Sequence, residues 1–328
     1  MSEELYRCPR TGRALVQHAG ALLTHDGCMR YPIRRGVPDF RLVEPTDPVD
    51  EQEVSELAAL AAGEGWRAAL AQLRPELALQ ADGSQGPFFD LLPLSPRAVV
   101  LEIGSGLGQN LVELARRVHV LHALERSPGR AQFSAIRCRQ QSLDNVLVAA
   151  GGDDMMLPYA DRSFEVVVIN HALESVRMAG EERVTLAGQQ LLLREIRRVL
   201  EPDGLLFVAI RNRFGLPLLL GGRDATARNI RFGNALPRPI ASALAARRPG
   251  VLGLLHSHGT LTRLLRQSGF ETLRSFGGLS AAAAPVAELP RPAMRTMRAL
   301  ERLVPVPLLQ FATPELAFIA RPSAAAAS

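Results

Sequence analysis

The residues best suited to chemistry stand together in Val99-Val100-Leu101-Glu102-Ile103-Gly104-Ser105-Gly106-Leu107-Gly108-Gln109-Asn110. An apolar run meets a carboxylate, three glycines come next on alternate positions, and Leu111-Val112-Glu113-Leu114-Ala115 continues at helical spacing. That order predicts a buried parallel strand, a tight turn and the first turn of a helix. Glycine accepts positive φ and lets the main chain approach a ligand closely. The helix start behind it offers unpaired N–H groups. The chemistry is therefore nucleotide binding. A dinucleotide fingerprint would place glycines at 104, 106 and 109, but residue 109 is Gln109.

Two further groups fit the same ligand. Glu125 lies 21 residues beyond Gly104 and ends the apolar run Val118-His119-Val120-Leu121-His122-Ala123-Leu124. An acid at the tip of a second strand can accept hydrogen bonds from both ribose hydroxyls. Further on stands Gly152-Asp153-Asp154-Met155-Met156-Leu157-Pro158-Tyr159-Ala160-Asp161-Arg162-Ser163-Phe164-Glu165-Val166. Glu102-x-Gly104-x-Gly106-x-Gly108 and this second run resemble the two signature motifs of the class I S-adenosylmethionine (SAM) methyltransferases. The resemblance implies an α/β fold: a seven-stranded Rossmann-like sheet with helices on both faces. It implies SAM contacts from Glu102, Gly104, Ser105, Gly106, Gly108, Glu125, Asp153, Asp154, Met155 and Asn170. Asp153 would accept from the adenine amino group, with Asp154 and Met155 flanking the ring. On this reading Asp153→Ala or Gly104→Val should abolish SAM binding and leave the fold intact.

The elements that must position these residues alternate along the chain. Strands are expected over 99–103, 118–124, 145–150, 164–169 and 205–210, with a sixth beginning near Phe270 and a last over 315–320. Helices are expected over 128–143 and from Gln189 to the Pro202-Asp203-Gly204 turn. The Arg198-x-Leu200-x-Pro202-x-Gly204-x-Leu206 spacing is shared with the same family, where it is structural. Two inserts interrupt the domain on the substrate side, one over 211–258 and a Pro-rich one over 278–313. The phrases Asn212-Arg213-Phe214-Gly215-Leu216 and Leu219-Leu220-Gly221-Gly222-Arg223-Asp224 resemble a bacterial subgroup of glycan and specialised-metabolite clusters.

Ligands of open α/β sheets lie beyond the carboxyl ends of the strands. Segments after the fourth and fifth of these strands therefore face the acceptor. His171 is the candidate general base, with Glu174, His256 and His258 behind it; Arg211 and Arg213 are candidates to hold an acidic acceptor. Asn170-His171-Ala172-Leu173 stands where amino methyltransferases acting on adenine or glutamine carry [DN]-P-P-[YF]. Cys8, Cys28 and Cys138 are all badly placed for a pyrimidine-attacking nucleophile.

Ahead of the domain (96–328) come a small module over 1–45 and a linker with a helical lead-in over 46–95. The module begins Cys8-Pro9-x-x-Gly12 and ends Tyr31-Pro32-Ile33-x-x-Gly36-Val37-Pro38-Asp39-Phe40. It resembles the zinc-ribbon-like β module of methyltransferase activators. Cys8-x-x-Thr11 and His25-x-x-Cys28 supply three ligand types and a poor fourth, so no metal is expected. The linker is the acidic, Pro-rich 44–53; a single helical pattern runs on from Val54 to Leu73, in which Trp66 is a packing residue.

With 47% hydrophobic and 22% charged residues the chain is expected to be globular. Neither a signal peptide nor a spanning helix is expected, and the cytoplasm is the default. All 38 basic residues are Arg, and the net charge is +5. Arg211 to Arg274 holds eleven Arg against Asp224 and Glu271, a local +9 that leaves −4 for the rest. Such a segment suits an anionic partner: phosphate, pyrophosphate, nucleic acid or lipid headgroups. The expected function is methyl transfer from SAM to a hydroxyl or amine of a small molecule, sugar or lipid-linked metabolite. RNA methylation and a non-catalytic SAM-binding subunit are the alternatives. The 5% aromatic content, with no Tyr or Trp in the basic segment, disfavours base stacking on RNA.

Overall fold

The structure, a computed structural model, describes residues 5–41, 48–81, 87–152, 156–177, 184–223, 225–234, 236–245, 252–277 and 313–323. Four short strands open the chain: β1 (Leu15–His18), β2 (Ala21–Thr24), β3 (Arg30–Arg34) and β4 (Val37–Pro38) form an antiparallel meander. Helices α1 (Pro48–Glu64), α2 (Trp66–Leu73) and α3 (Pro75–Ala81) come after them. The main domain then runs β5 (Val99–Ile103), α4 (Leu111–Ala115), β6 (Val120–Glu125), α5 (Pro128–Gln140), β7 (Val146–Ala150) and β8 (Phe164–Asn170). It continues with α6 (Leu186–Val199), β9 (Leu200–Arg211), α7 (Leu216–Leu219), α8 (Arg238–Ala245), α9 (His258–Gln267), β10 (Phe270–Gly277) and β11 (Glu315–Pro322).

Seven strands form one sheet in the order β10-β11-β9-β8-β5-β6-β7. β7, β6, β5, β8 and β9 are mutually parallel, while β11 is inserted antiparallel between β9 and β10. This is the expected Rossmann-like methyltransferase sheet. Its central strands are apolar along nearly their whole length because helices cover both faces; Val100, Leu101, Val167, Val168 and Ile169 have no exposed surface. The expected Pro202–Gly204 turn lies inside β9 as a bulge. Phe164 pairs with Leu200 and Val166 with Leu205, so β9 advances five residues where β8 advances two.

The acidic stretch 44–53 differs from the linker reading. From Pro48 it is the first part of α1, and Asp50 and Glu51 lie in the first turn. The single helix expected over Val54–Leu73 is two, broken at Gly65, whose φ is +95°. Trp66 is buried and sits between the guanidinium groups of Arg67 and Arg137, at 4.4 and 4.2 Å from its ring centre.

The N-terminal module is joined to the main sheet by main-chain bonds. Phe40 N–H donates to the Ala150 carbonyl at the end of edge strand β7 (2.8 Å), and Arg7 N–H donates to that of Pro158 (3.0 Å). Tyr6, Tyr31 and Phe40 enter the same apolar core as Tyr159 and Phe164. Cys8 is buried with its Sγ 3.1 Å from the Tyr31 hydroxyl, whereas Cys28 is exposed. Among the described residues no group of three or more His, Cys, Asp or Glu is arranged to hold a metal. Among them, too, no helix is long and apolar enough to cross a membrane.

Candidate active site

β5 delivers its turn to the carboxyl edge of the sheet. Gly104, Gly106 and Gly108 have φ of +79°, +56° and +75°, a run that other residues resist. The side chains of the second strand and its helix clasp this turn. Glu125 accepts from Gly106 N–H at Oε2 (2.8 Å) and from Ser127 N–H at Oε1 (3.0 Å). Ser134 Oγ donates to the Gly106 carbonyl (2.8 Å), and Arg137 Nη1 to that of Leu107 (3.1 Å). Each Glu125 oxygen keeps a lone pair for a ligand hydroxyl.

Beneath the turn Glu102 is buried, and its Oε1 accepts from Asn110 Nδ2 at 2.7 Å. Burial, reinforced by the nearby Glu125 charge, pushes its carboxyl up to about 7 against the Asn110 bond. Glu102 Oε2, Ser105 Oγ and Asn110 Oδ1 are buried with no hydrogen-bond partner among the described residues. Buried polar atoms left open at the root of a ligand turn are what a polar ligand would complete.

The turn faces a cleft of about 470 Å³, walled by Ile103, Gly104, Gly106, Leu124, Glu125, Ser127, Gly151, Gly152, His171 and Ala172 among others. That size suits a nucleoside-sized ligand. Of the expected SAM residues, Gly104, Gly106 and Glu125 are therefore in the wall, and Glu102, Ser105 and Gly108 support the turn. Asn170, half-buried, ends β8 beside His171 and is not in the wall. Asp153, Asp154 and Met155 lie outside the described residues; Gly151 and Gly152 just before them line the cleft. A groove of about 670 Å³ around Arg197, Glu201 and Arg321 lies where β9 begins, at the opposite edge of the sheet.

In the cleft wall His171 meets two buried carboxylates. His171 has φ +55°; its Nδ1 is 3.4 Å from Glu174 Oε1 and its Nε2 is 3.4 Å from Glu315 Oε1. Burial works against the charged imidazole, yet the two carboxylates raise it to about 9. Burial likewise opposes the Glu174 charge, but His171 and Arg211 hold that carboxyl below its ordinary value. An imidazole that already carries its proton between two acids donates hydrogen bonds; it is a poor proton acceptor at neutral pH.

The other sequence candidates lie elsewhere. His256 is buried with Nε2 2.7 Å from Gln189 Oε1, and burial lowers its pKa to about 4. His258 starts α9, 3.1 Å from Ser275 Oγ. Arg213 donates to the carbonyls of Asn234 (2.9 Å) and Leu236 (3.4 Å), tying the insert to itself. Arg211 ends β9 and acts on Glu174 through charge. Neither Arg is in the cleft wall.

Sequence reasoning missed Glu51 and Glu315. Glu51 Oε1 accepts from Gly129 N–H (2.6 Å) and Oε2 from Ser127 Oγ (2.6 Å), so α1 caps α5 at the cleft rim. An acid in a first helical turn opposite another helix start was the only available hint. Glu315 had none.

Comparison with known proteins gives these similarities. Residues 101–208 match the family described as "Methyltransferase domain". Over 127 residues the chain is 30% identical to "Demethylmenaquinone methyltransferase" of Lactobacillus johnsonii, covering 38% of this chain. It spans about half (48%) of the length of that relative. A SAM-dependent methyltransferase of Aquifex aeolicus is similar with a TM-score of 0.43 at 13% identity, over 84% of this chain and 98% of that one. Geranyl diphosphate C-methyltransferase of Streptomyces coelicolor gives 0.47 at 14%, over 85% and 100%. A Haloferax volcanii complex between a methyltransferase activator and a methyltransferase gives 0.47 at 17%, over 82% and 98%. Residues 101–208, which match a methyltransferase-domain family model, thus include the glycine turn and the Glu125 that straps it.

Proposed function

We propose that the protein transfers the methyl group of SAM to a hydroxyl or amine of a small molecule, sugar or lipid-linked metabolite. The observation that carries the reading is the Glu125 carboxylate, which holds the glycine turn and faces the cleft with lone pairs still open. SAM supplies, when bound, an electrophilic methyl on a sulfonium centre. What the chain contributes is placement: Gly104 and Gly106 give main-chain surface, Glu125 would take the ribose hydroxyls, and Asp153 and Met155 the adenine. In-line displacement then needs an acceptor held close and dry. In this reading His171 positions and does not deprotonate; the acceptor gives up its proton to solvent water as the methyl is transferred.

The relative from Lactobacillus johnsonii is named for demethylmenaquinone, a hydrophobic acceptor, which supports a hydrophobic rather than a nucleic-acid acceptor. RNA methylation is the second reading, favoured by the local +9 over 211–274. Calorimetry tests the core of the proposal. Wild-type chain should bind SAM, and Glu125→Ala should bind at least about tenfold more weakly, since two charge-assisted bonds to the turn are lost. Failure to bind SAM alongside uptake of a nicotinamide dinucleotide would overturn it. Mass spectrometry of a cell extract given methyl-labelled SAM and enzyme then identifies the acceptor.

A further inference from the structure

The first insert wears its apolar side chains on the outside. Phe214, Leu219, Leu220, Phe232, Ile240 and Leu244 are 42–51% exposed, six of the eleven exposed large apolar residues among the described residues. Helix α8 makes the inversion plain. Ala241 and Ala245, four apart, are 4% and 2% exposed and face the domain, while Ile240 and Leu244, also four apart, are 50% and 51% exposed. A helix that merely covered a core would turn its large aliphatics inward. The other apolar groups sit close by. A Cβ at Gly221 would lie 3.0 Å from the Phe232 ring, so Phe232 packs on the turn after Leu220, and Arg213 ties the start of α7 to the residues before α8.

Along this insert the sequence carries charge of one sign. Between residues 211 and 258 the chain has eight Arg and a single acid, Asp224. Arg231, next to Phe232, and Arg223, two residues after Gly221, are exposed. Exposed aliphatic side chains with exposed Arg223 and Arg231 close to them in sequence match a surface that offers phosphate above hydrocarbon. Nucleic acid offers the phosphate but rewards aromatic stacking, and Ile240, Leu244, Leu219 and Leu220 have no π-face to give.

We propose that residues 211–245 dock the protein on an anionic phospholipid bilayer, α8 lying in the interface with Ile240 and Leu244 inserted and the arginines on the headgroups. The insert that carries this face is tied by main-chain bonds to the segment after β8. Leu254 N–H donates to the Glu174 carbonyl (2.9 Å) and Gly253 N–H to that of Thr226 (2.7 Å), and the segment so fastened carries His171 of the cleft wall. Docking would bring that segment to a bilayer holding a lipid-linked acceptor, a consequence that rests on the function proposed above.

Vesicle flotation of the full chain, without SAM, tests the docking by itself. Binding to vesicles of phosphatidylcholine with phosphatidylglycerol should exceed binding to phosphatidylcholine alone by at least about tenfold and fall as salt is raised. Ile240→Ser with Leu244→Ser should weaken the anionic-vesicle binding about tenfold and leave SAM affinity unchanged, since both side chains already face solvent. Arg223→Gln with Arg231→Gln should shrink the preference for anionic over neutral vesicles. The proposal is overturned by absence of vesicle binding, by equal binding to both compositions, by tighter binding to RNA than to vesicles, or by lipid-free self-association that the Ile240/Leu244 variant abolishes. SAM affinity, measured on the same samples, reports the methyltransferase reading separately.

Discussion

Two carboxylates face the two ring nitrogens of His171, and that single fact changes what the residue can do. Its pKa of about 9 in the folded chain compares with an ordinary 6.5. The native state therefore binds the extra proton between those values, and the stability it lends is fully present below pH 6.5 and lost as pH rises through 9. The difference amounts to at most about 3 kcal/mol. Glu102, raised to about 7 chiefly by burial, slopes the same way, its contribution being fully present below 4.5 and lost as pH rises through 7. NMR titration of the His171 imidazole should give a midpoint near 9, and Glu315→Gln should lower it by about one unit or more. A midpoint near 6.5 in the wild type would remove the reason for denying His171 the role of base. Sequence placed His171 and Glu174 together after the fourth main-sheet strand; it could not show the proton held there, because Glu315 arrives from the last strand with no local mark of its purpose.

The glycine turn after β5 and the turn after β8 touch each other. A Cβ added at Gly104 would lie 2.4 Å from the Cβ of Ala172, at a φ of +79°. The turn after β5 thus packs directly on the turn after β8, and any side chain at 104 must push the His171–Ala172 turn aside. Sequence reading expected Gly104→Val to remove SAM binding and spare the fold; the geometry ties the two. Gly104→Ala should cost about 3 kcal/mol or more and abolish SAM binding, whereas Gly106→Ala should cost only about 1 kcal/mol. The nearest atom to a Cβ at Gly106 is Gln109 Oε1, at 3.6 Å. Urea unfolding of both variants checks the order, and equal midpoints would contradict the contact. The sheet itself was legible, since buried parallel strands are written as unbroken apolar runs. The start of α1 was not: Pro48, Asp50 and Glu51 look like linker composition, yet proline and acids are also what a helix's first turn favours. Only the tertiary bonds of Glu51 to Ser127 and Gly129 distinguish the two, and those partners lie more than seventy residues away.

At the scale of the whole molecule, the N-terminal module and the domain share a cage of rings with a histidine inside it. His122 of β6 has no exposed surface, and neither ring nitrogen has a hydrogen-bond partner among the described residues. Tyr6, Tyr159 and Phe164 meet it edge-on, with centres 5.8, 5.3 and 5.4 Å away. Burial lowers its pKa from 6.5 to about 4, so the folded chain holds it neutral where the unfolded chain would protonate it. Here the sign is opposite to that of His171: stability is fully present above pH 6.5 and lost as pH falls through 4. His256, also near 4, adds an equal slope. Each costs about 2 kcal/mol at pH 5. A charge in this cage can be solvated only by parting the module from the domain, and the chain's three tyrosines, Tyr6, Tyr31 and Tyr159, all lie at that junction. Trp66, the single tryptophan, sits in a different cluster with α1 and α5. Acidification from pH 7 to 5 should therefore weaken the near-ultraviolet tyrosine signal before the Trp66 fluorescence moves. His122→Leu replaces two unpaired polar atoms with apolar volume, should be neutral or stabilising at pH 7, and should lose about 2 kcal/mol less than the wild type on going from pH 7 to 5. If that variant tracks the wild type between pH 7 and 5, acid acts elsewhere and the ring cage is not what makes the junction sensitive to protons.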